Sequence, residues 1–64
     1  DYREVYNAVL SLPEKYRAVI HLHYFEGLSV AEIAATLQST EGTVKSQLSR
    51  GRALLRDMLE EVEL

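Results

Sequence analysis

The sequence has no cysteine, a single proline and no apolar run long enough to form a membrane-spanning helix. The absence of cysteine excludes a disulfide framework and a zinc-thiolate site, the two usual supports of very small folds. A helix that crosses a bilayer needs about 20 apolar residues, and the opening stretch DYREVYNAVL lacks the basic and then apolar layout of a signal peptide. We therefore expect a soluble, cytoplasmic protein that does not use a membrane as a partner.

The length of the chain suits one small domain over residues 1–64. A chain of this size buries only about 60% of the surface that its unfolded form exposes, so its stability should be modest. It opens without methionine and directly in an amphipathic pattern. That opening favours a domain excised from a longer protein.

Charge is unevenly distributed along the chain, whose formal net charge is -3. Residues 1–42 have three cations and six acids, and residues 57–64 have four acids and no cation. Between them, residues 43–56 contain Lys45, Arg50, Arg52 and Arg56 and no acid. The overall charge disfavours indiscriminate coating of nucleic acid, whereas a local stripe of one sign can still bind phosphate.

Two helices are predicted in the first half of the chain. Apolar residues recur at helical spacing from Tyr2 to Leu10, and the Ser-Leu-Pro stretch at 11–13 interrupts them with a cap and a proline suited to a first turn. The second helix should run from about 14 to 26. It should end at Gly27, because glycine best adopts the left-handed conformation that closes a helix.

The second half of the chain predicts a helix-turn-helix. Ser29 and Glu32 have the spacing of a capping box, which should begin a third helix over about 30–37. Thr40 should cap a fourth helix from 41 to about 61, which leaves only a short turn between the two. No strand-like alternation competes with this pattern. We expect an all-α, four-helix domain of the winged-helix-like or homeodomain-like DNA-binding class, without strands.

The fourth helix is predicted to have an apolar side and a basic side. On a wheel of about 100° per residue, one arc predicts the side that packs on the core. That arc contains Val44, Leu48, Gly51, Leu55, Met58, Leu59 and Val62. The opposite side contains Lys45, Ser46, Ser49, Arg50 and Ala53, with Gly42 at its beginning and Arg52 on its border.

The basic side has the chemistry of a surface that contacts bases in the major groove. Lysine and arginine donate to guanine O6 and N7, and serine hydroxyls bind bases or phosphates. N–H groups at the helix start lie at the positive end of its dipole and attract phosphate. We therefore predict a DNA-binding set, the recognition face: Glu41, Gly42, Thr43, Lys45, Ser46, Ser49, Arg50 and Arg52. The alternative is a solvated basic face, which its position directly after a helix-turn-helix turn disfavours.

Three motifs resemble region 4 of bacterial sigma factors. They are LPxxxR near the start of the second helix, YFEGLS at the following turn and EGTVKS at the start of the fourth helix. The likeness covers about residues 12–59 and is strongest to the extracytoplasmic-function (ECF) branch of the sigma-70 family. It implies binding to the minus-35 element of double-stranded promoter DNA, with base contacts at Lys45, Ser46, Ser49 and Arg50. It also implies two protein partners, the flap of the RNA polymerase beta subunit and an anti-sigma factor.

The sequence departs from the family pattern at several positions. Gln38 stands where glycine is usual, and a left-handed residue other than glycine costs about 1 kcal/mol. Gly51 stands where alanine is common and lowers helix propensity by about 1 kcal/mol. Val30, Ser39 and Gln47 also differ from the usual residues, so some packing and phosphate contacts should be weaker. We expect the isolated domain to bind DNA weakly and to depend on polymerase.

His21 and His23 raise the question of a metal site. Residues two apart on a helix lie about 200° apart and cannot share one ion. The chain has no further histidine and no cysteine. Serine, threonine and tyrosine are present without a paired base. The sequence therefore predicts no metal, no cofactor, no small-molecule substrate and no enzymatic activity.

Two other functions remain open. A response-regulator output domain shares the EIA and TVK arrangement but has a histidine two residues beyond the lysine, where this chain has SQLSRGRALL. A protein-interaction module is favoured by the second helix, in which Tyr16, Ile20 and Tyr24 form one i, i+4 row. Such a row is either central to the core or presented to a partner. We predict this row as a protein-partner surface, next to the acidic residues 57–63.

Overall fold

The computed structural model describes the backbone of residues 2–63 and the side chains of residues 2–60. Its helical elements are α1 (Tyr2–Leu10), α2 (Glu14–Ile20), a π-helical stretch called the π segment (His21–Phe25), α3 (Val30–Leu37) and α4 (Glu41–Glu63). No strand occurs in residues 2–63. The predicted all-α fold is confirmed, with α3 and α4 forming the helix-turn-helix.

The second helix differs from its prediction in its last turn. The sequence predicts one helix to residue 26, but the α-helical part ends at Ile20 and the π segment continues it. The backbone N–H of Glu26 donates to the carbonyl of His21 at 3.1 Å, and that of Leu28 donates to Leu22 at 3.0 Å. These wider hydrogen-bonded turns shift the phase of the side chains that follow Ile20. A row continued from α2 at i, i+4 spacing is therefore not one face of the molecule.

The core lies where the four helices meet. Its buried side chains are Val9, Leu12, Val19, Ile20, Ile33, Ala34, Val44 and Leu48. Burial of a large aliphatic side chain contributes about 1.5–3 kcal/mol, so this small set is the main source of stability. An aromatic cluster joins α1 to the π segment, because the ring of Phe25 meets the rings of Tyr6 and Tyr2 edge-on at 5.7 and 6.1 Å between centroids.

The predicted capping residues are confirmed at the starts of α3 and α4. Ser29 Oγ accepts from the backbone N–H of Glu32 at 3.1 Å, and Glu32 Oε1 accepts from the N–H of Ser29 at 2.8 Å. Thr40 Oγ1 accepts from the N–H of Thr43 at 3.1 Å. These bonds satisfy N–H groups that a helix start otherwise leaves without partners.

The capping box makes one contribution to stability depend on pH. The pKa of the Glu32 carboxyl is lowered because the Ser29 backbone N–H, and then the Ser29 hydroxyl, hydrogen-bond to its charged form. The stabilisation by the charged Glu32 carboxylate is fully present above the pKa that Glu32 has in the unfolded chain. It is lost as the pH falls through the lower pKa of the folded chain.

Two residues in left-handed conformation follow the helical elements that precede α4. Gly27 has φ of 77°, and Gln38 has φ of 55° and ψ of 48°. Gln38 therefore adopts, without being glycine, a backbone conformation that costs about 1 kcal/mol. The backbone N–H of Ser39 donates to the carbonyl of Ala34 at 2.8 Å, which closes α3 tightly. The start of α4 is thus set close to the end of α3.

At Gly51 the backbone of α4 packs closely against α2. A Cβ atom at this position would lie 2.9 Å from Ile20 Cγ1 and 3.2 Å from Ile20 Cδ1. Because Ile20 is only 1% exposed, it has little room to move aside. Glycine at this position lowers helix propensity. Its missing side chain allows the backbone of α4 to pack directly on the side chain of Ile20.

We expect Gly51→Ala to lower the free energy of unfolding. The gain in helix propensity, about 1 kcal/mol, is opposed by overpacking against Ile20, which costs about 1–3 kcal/mol. Gly42→Ala is the matched control, because a Cβ there would meet no packed neighbour within 4 Å among the described residues. Urea denaturation should place Gly51→Ala below the wild type and Gly42→Ala at or above it. A Gly51→Ala chain more stable than both would show that Ile20 yields without cost.

Candidate DNA-binding interface

The recognition face is held outward by the buried side of α4. Val44 is 0% exposed and Leu48 is 3% exposed, and both pack in the core. Their position fixes the rotation of the helix about its axis. As a result, the exposed side of its first turns carries the polar and basic residues of the predicted set: Glu41, Gly42, Thr43, Lys45, Ser46, Ser49, Arg50 and Arg52.

The predicted core arc of α4 is confirmed for its first part. Gly51 is buried with Val44 and Leu48, whereas Leu55, Met58 and Leu59 are half-buried. Ala53, placed by the wheel on the basic side, is also half-buried. Val62 lies outside the residues whose side chains are described. The basic side is therefore best exposed over the first three turns of the helix.

The start of α4 offers backbone donors to an anion. The N–H of Thr43 is bound to Thr40 Oγ1, and that of Val44 donates to the Thr40 carbonyl at 3.1 Å. The N–H groups of Glu41 and Gly42 precede them at the positive end of the helix dipole, where phosphate binds favourably. Gly42 has no side chain to keep DNA away from these donors. The Glu41 carboxylate at the same end can accept from cytosine N4 but repels phosphate.

Arg52 joins two surfaces that the sequence pattern keeps apart. Its Nη1 donates to the Tyr24 hydroxyl at 3.0 Å, across 28 residues of sequence. The sequence predicts Arg52 as part of the recognition face and Tyr24 as part of a protein-partner surface. A guanidinium has five N–H donors, so the bond to Tyr24 orients Arg52 and leaves donors for a phosphate. No periodicity of either helix could have indicated this contact, because it depends on how the π segment and α4 are placed against each other.

The predicted protein-partner row is wrong at Ile20. This side chain is buried in the core against Gly51 and cannot contact a partner. Tyr24 is 53% exposed, and Tyr16 is half-buried. The wide apolar arc of the second helix arises mainly because α1, α3 and α4 all pack on it. Of the three residues in the row, Tyr24 is the one that is more than half exposed.

An apolar groove adjoins Tyr24 between α1, the π segment and α4. It has a volume of about 570 Å³ and is lined by Val5, Val9, Ile20, Tyr24, Phe25, Arg52, Leu55, Arg56, Leu59 and Glu60. Of the acidic residues predicted to lie beside a partner surface, Asp57 and Glu60 are exposed. The acidic side chains at 61 and 63 lie outside the described residues. The groove replaces the i, i+4 row as the candidate protein-partner surface.

The two histidines have separate contacts. The ring of His21 lies 3.2 Å from Glu26 Oε2 through Nε2, and His23 Nδ1 lies 2.8 Å from the carbonyl oxygen of Leu28. Within residues 2–60, no group of three or more potential metal-ligating side chains comes together. None of the helices over the described residues is long and apolar enough to cross a membrane.

Comparison with known proteins identifies the family. A family model described as "Sigma-70, region 4" matches residues 2–55. The chain is 46% identical over 54 residues to the ECF RNA polymerase sigma factor SigW of Bacillus subtilis. The aligned stretch covers 84% of this chain and 29% of that protein. It is 52% identical over 52 residues to the ECF RNA polymerase sigma factor SigE of Mycolicibacterium smegmatis, covering 81% of this chain and 20% of that protein.

A third relative, the RNA polymerase sigma-H factor of Pseudomonas aeruginosa, is 38% identical over 56 residues, covering 88% of this chain and 29% of that protein. The chain thus spans about a fifth to a third of the length of these curated relatives. The matches favour the sigma-factor interpretation over the response-regulator alternative. The chain belongs to the sigma-70 region 4 family.

Proposed function

We propose that this chain binds double-stranded promoter DNA at the minus-35 element, as part of a sigma factor that directs RNA polymerase in the bacterial cytoplasm. One observation carries the proposal. The first turns of α4 expose a basic and polar side directly after a helix-turn-helix turn, while the opposite side is locked in the core. Relatives named as RNA polymerase sigma factors support the assignment. In this proposed role the chain binds DNA and does not catalyse a reaction.

The exposed residues of α4 divide into base and phosphate contacts. Lys45 with Ser49, and Ser46 with Arg50, form two i, i+4 rows that follow the helix axis. Placed in a major groove, the cations of these rows donate to guanine and the hydroxyls to bases or phosphates. Arg52, held at the border by Tyr24, contributes a phosphate contact that should weaken as salt rises.

A binding-site selection tests this function and needs no assumption about the promoter bases. The chain should enrich one short motif from a library of randomised duplexes. Fluorescence anisotropy should then give tighter binding to the selected duplex than to a scrambled duplex at every salt concentration. Equal affinity for the two duplexes across the salt series would leave only non-specific phosphate binding and would reject base recognition.

The apolar groove supports a second role, as the docking surface for the beta flap of RNA polymerase or for an anti-sigma factor. An apolar groove between helices can accept the apolar face of a partner helix. Tyr24 is the exposed aromatic residue at its edge. Affinity for protein would then come from this groove and affinity for DNA from the recognition face.

Pull-down with the beta-flap segment separates the two surfaces. Tyr24→Asp should weaken capture of the flap, because a charge at the groove edge disfavours contact with an apolar helix. Arg50→Ala should leave that capture unchanged, since Arg50 lies on the recognition face. Loss of flap binding in Arg50→Ala, with circular dichroism showing a folded chain, would contradict the separation.

A further inference from the structure

We infer that Lys15, at the start of α2, binds a DNA phosphate and extends the recognition face onto a second helix. The inference rests on the proposed function, because it assumes that α4 enters the major groove. Nothing in the sequence pattern indicates this role, since Lys15 lies 30 positions before Lys45 and outside the basic stretch 43–56. The packing of α2 against α4 is what brings it to the interface.

A groove of about 360 Å³ separates the start of α2 from α4. Its lining residues are Lys15, Tyr16, Ser46, Gln47 and Arg50. Two of them, Ser46 and Arg50, belong to the recognition face. Tyr16, Ser46 and Gln47 are neutral. Lys15 and Arg50 are therefore the two cations of this groove. A phosphate that enters it from the side of the recognition face meets positive charge from both helices.

Lys15 is available for such a contact. It is exposed, and its ammonium lies 5.1 Å from the centroid of the Tyr16 ring. A cation over an aromatic face is held in place while its N–H donors remain open to other acceptors. Among the described residues, no carboxylate forms an ion pair with Lys15. The neighbouring Glu14 lines the adjacent groove with Lys15, Gln38 and Ser39, and so reduces the positive potential without occupying the ammonium.

Because Lys15 lies beside α4, its ammonium is better placed to contact a phosphate than a base. A helix fits in the major groove, which is about 12 Å wide, and the two phosphate backbones run along its edges. A side chain that reaches the interface from a second helix, to one side of α4, meets an edge of the groove. Lysine is a flexible point charge suited to a phosphate. Lys15 should therefore strengthen binding to all duplex sequences by a similar factor.

Arg17 provides a matched control on the same helix. It carries the same charge but lines a different groove, on the side of α1 with Tyr6 and Leu10, and its Nη1 donates to the Leu10 carbonyl at 3.4 Å. Lys15→Gln and Arg17→Gln thus remove one positive charge each from α2. Only the first lies beside the recognition face. Circular dichroism and thermal unfolding would establish that each variant is folded, and Lys15→Arg would test whether charge alone restores binding.

The experiment measures affinity for the selected and the scrambled duplex over a salt series. For Lys15→Gln, the slope of log affinity against log salt should become shallower by about 0.9, with the ratio of the two affinities unchanged. Arg17→Gln should keep the wild-type slope, and Lys15→Arg should regain it. An unchanged slope in Lys15→Gln, or an equal change in Arg17→Gln, would overturn the assignment. A wild-type chain that fails to discriminate the duplexes would reject the proposed function, while the slopes on either duplex would still decide the role of Lys15.

Discussion

Replacement of Arg50 by alanine should weaken binding to the selected duplex by about 1–3 kcal/mol, or roughly 5- to 150-fold. Arg50 is exposed on the first three turns of α4, opposite the buried side chains of Val44 and Leu48. A guanidinium there can donate two parallel hydrogen bonds to guanine O6 and N7. Binding to the scrambled duplex should fall much less, so the ratio of the two affinities should decrease.

Arg56→Ala is the control for charge. Arg56 is also exposed on α4, but it lines the apolar groove with Leu59 and Glu60. Its removal takes away the same positive charge and should lower the affinity for both duplexes slightly and equally. If Arg50→Ala and Arg56→Ala reduced the two affinities by the same factor, Arg50 would act as a general cation and the base contact would be excluded.

Ile20→Asp should unfold the domain. Ile20 is 1% exposed and packs against Gly51, so an aspartate there places a carboxylate in the core without a partner. A domain of this length has a free energy of unfolding of roughly 3–10 kcal/mol, and an unpaired buried charge costs several kcal/mol. Far-UV circular dichroism should show loss of most helical signal at room temperature.

Tyr24→Asp is the matched variant, because Tyr24 belongs to the same i, i+4 row but is 53% exposed. It should keep the helical spectrum, because it loses only surface interactions: the hydrogen bond that Arg52 donates to the tyrosine hydroxyl and the edge-on contact with the His23 ring. A folded Ile20→Asp chain with the melting temperature of the wild type would contradict the placement of Ile20 in the core. It would restore the row as a surface for protein partners.

Features encoded within one or two turns of helix could be predicted from the sequence. The capping box of Ser29 and Glu32, the cap at Thr40 and the left-handed residues Gly27 and Gln38 depend on neighbours a few positions away. The two sides of α4 also follow from local spacing, since a helix with one apolar arc has one way to face a core. The recognition face is therefore indicated by sequence alone.

Features that depend on the crossing of two helices could not be predicted in this way. In the second helix more than one row is apolar, and spacing does not decide which row packs inside. Burial of Ile20 follows from the missing side chain at Gly51, 31 positions later. The groove beside Lys15 arises where α2 packs on α4, and the bond between Tyr24 and Arg52 arises where the π segment meets α4. The π segment likewise reflects packing and backbone hydrogen bonds that no single residue type specifies.

Chemical-shift mapping by NMR tests most directly whether α4 is the DNA-binding element. An isotopically labelled chain would be titrated with the selected duplex, and the backbone amide shifts would be followed residue by residue. The largest changes are expected over Glu41–Arg52, with smaller changes near Lys15 and little change along the apolar groove at Val5, Val9 and Leu59. Changes centred on that groove, with the amides of Glu41–Arg52 unaffected, would contradict DNA recognition by this helix.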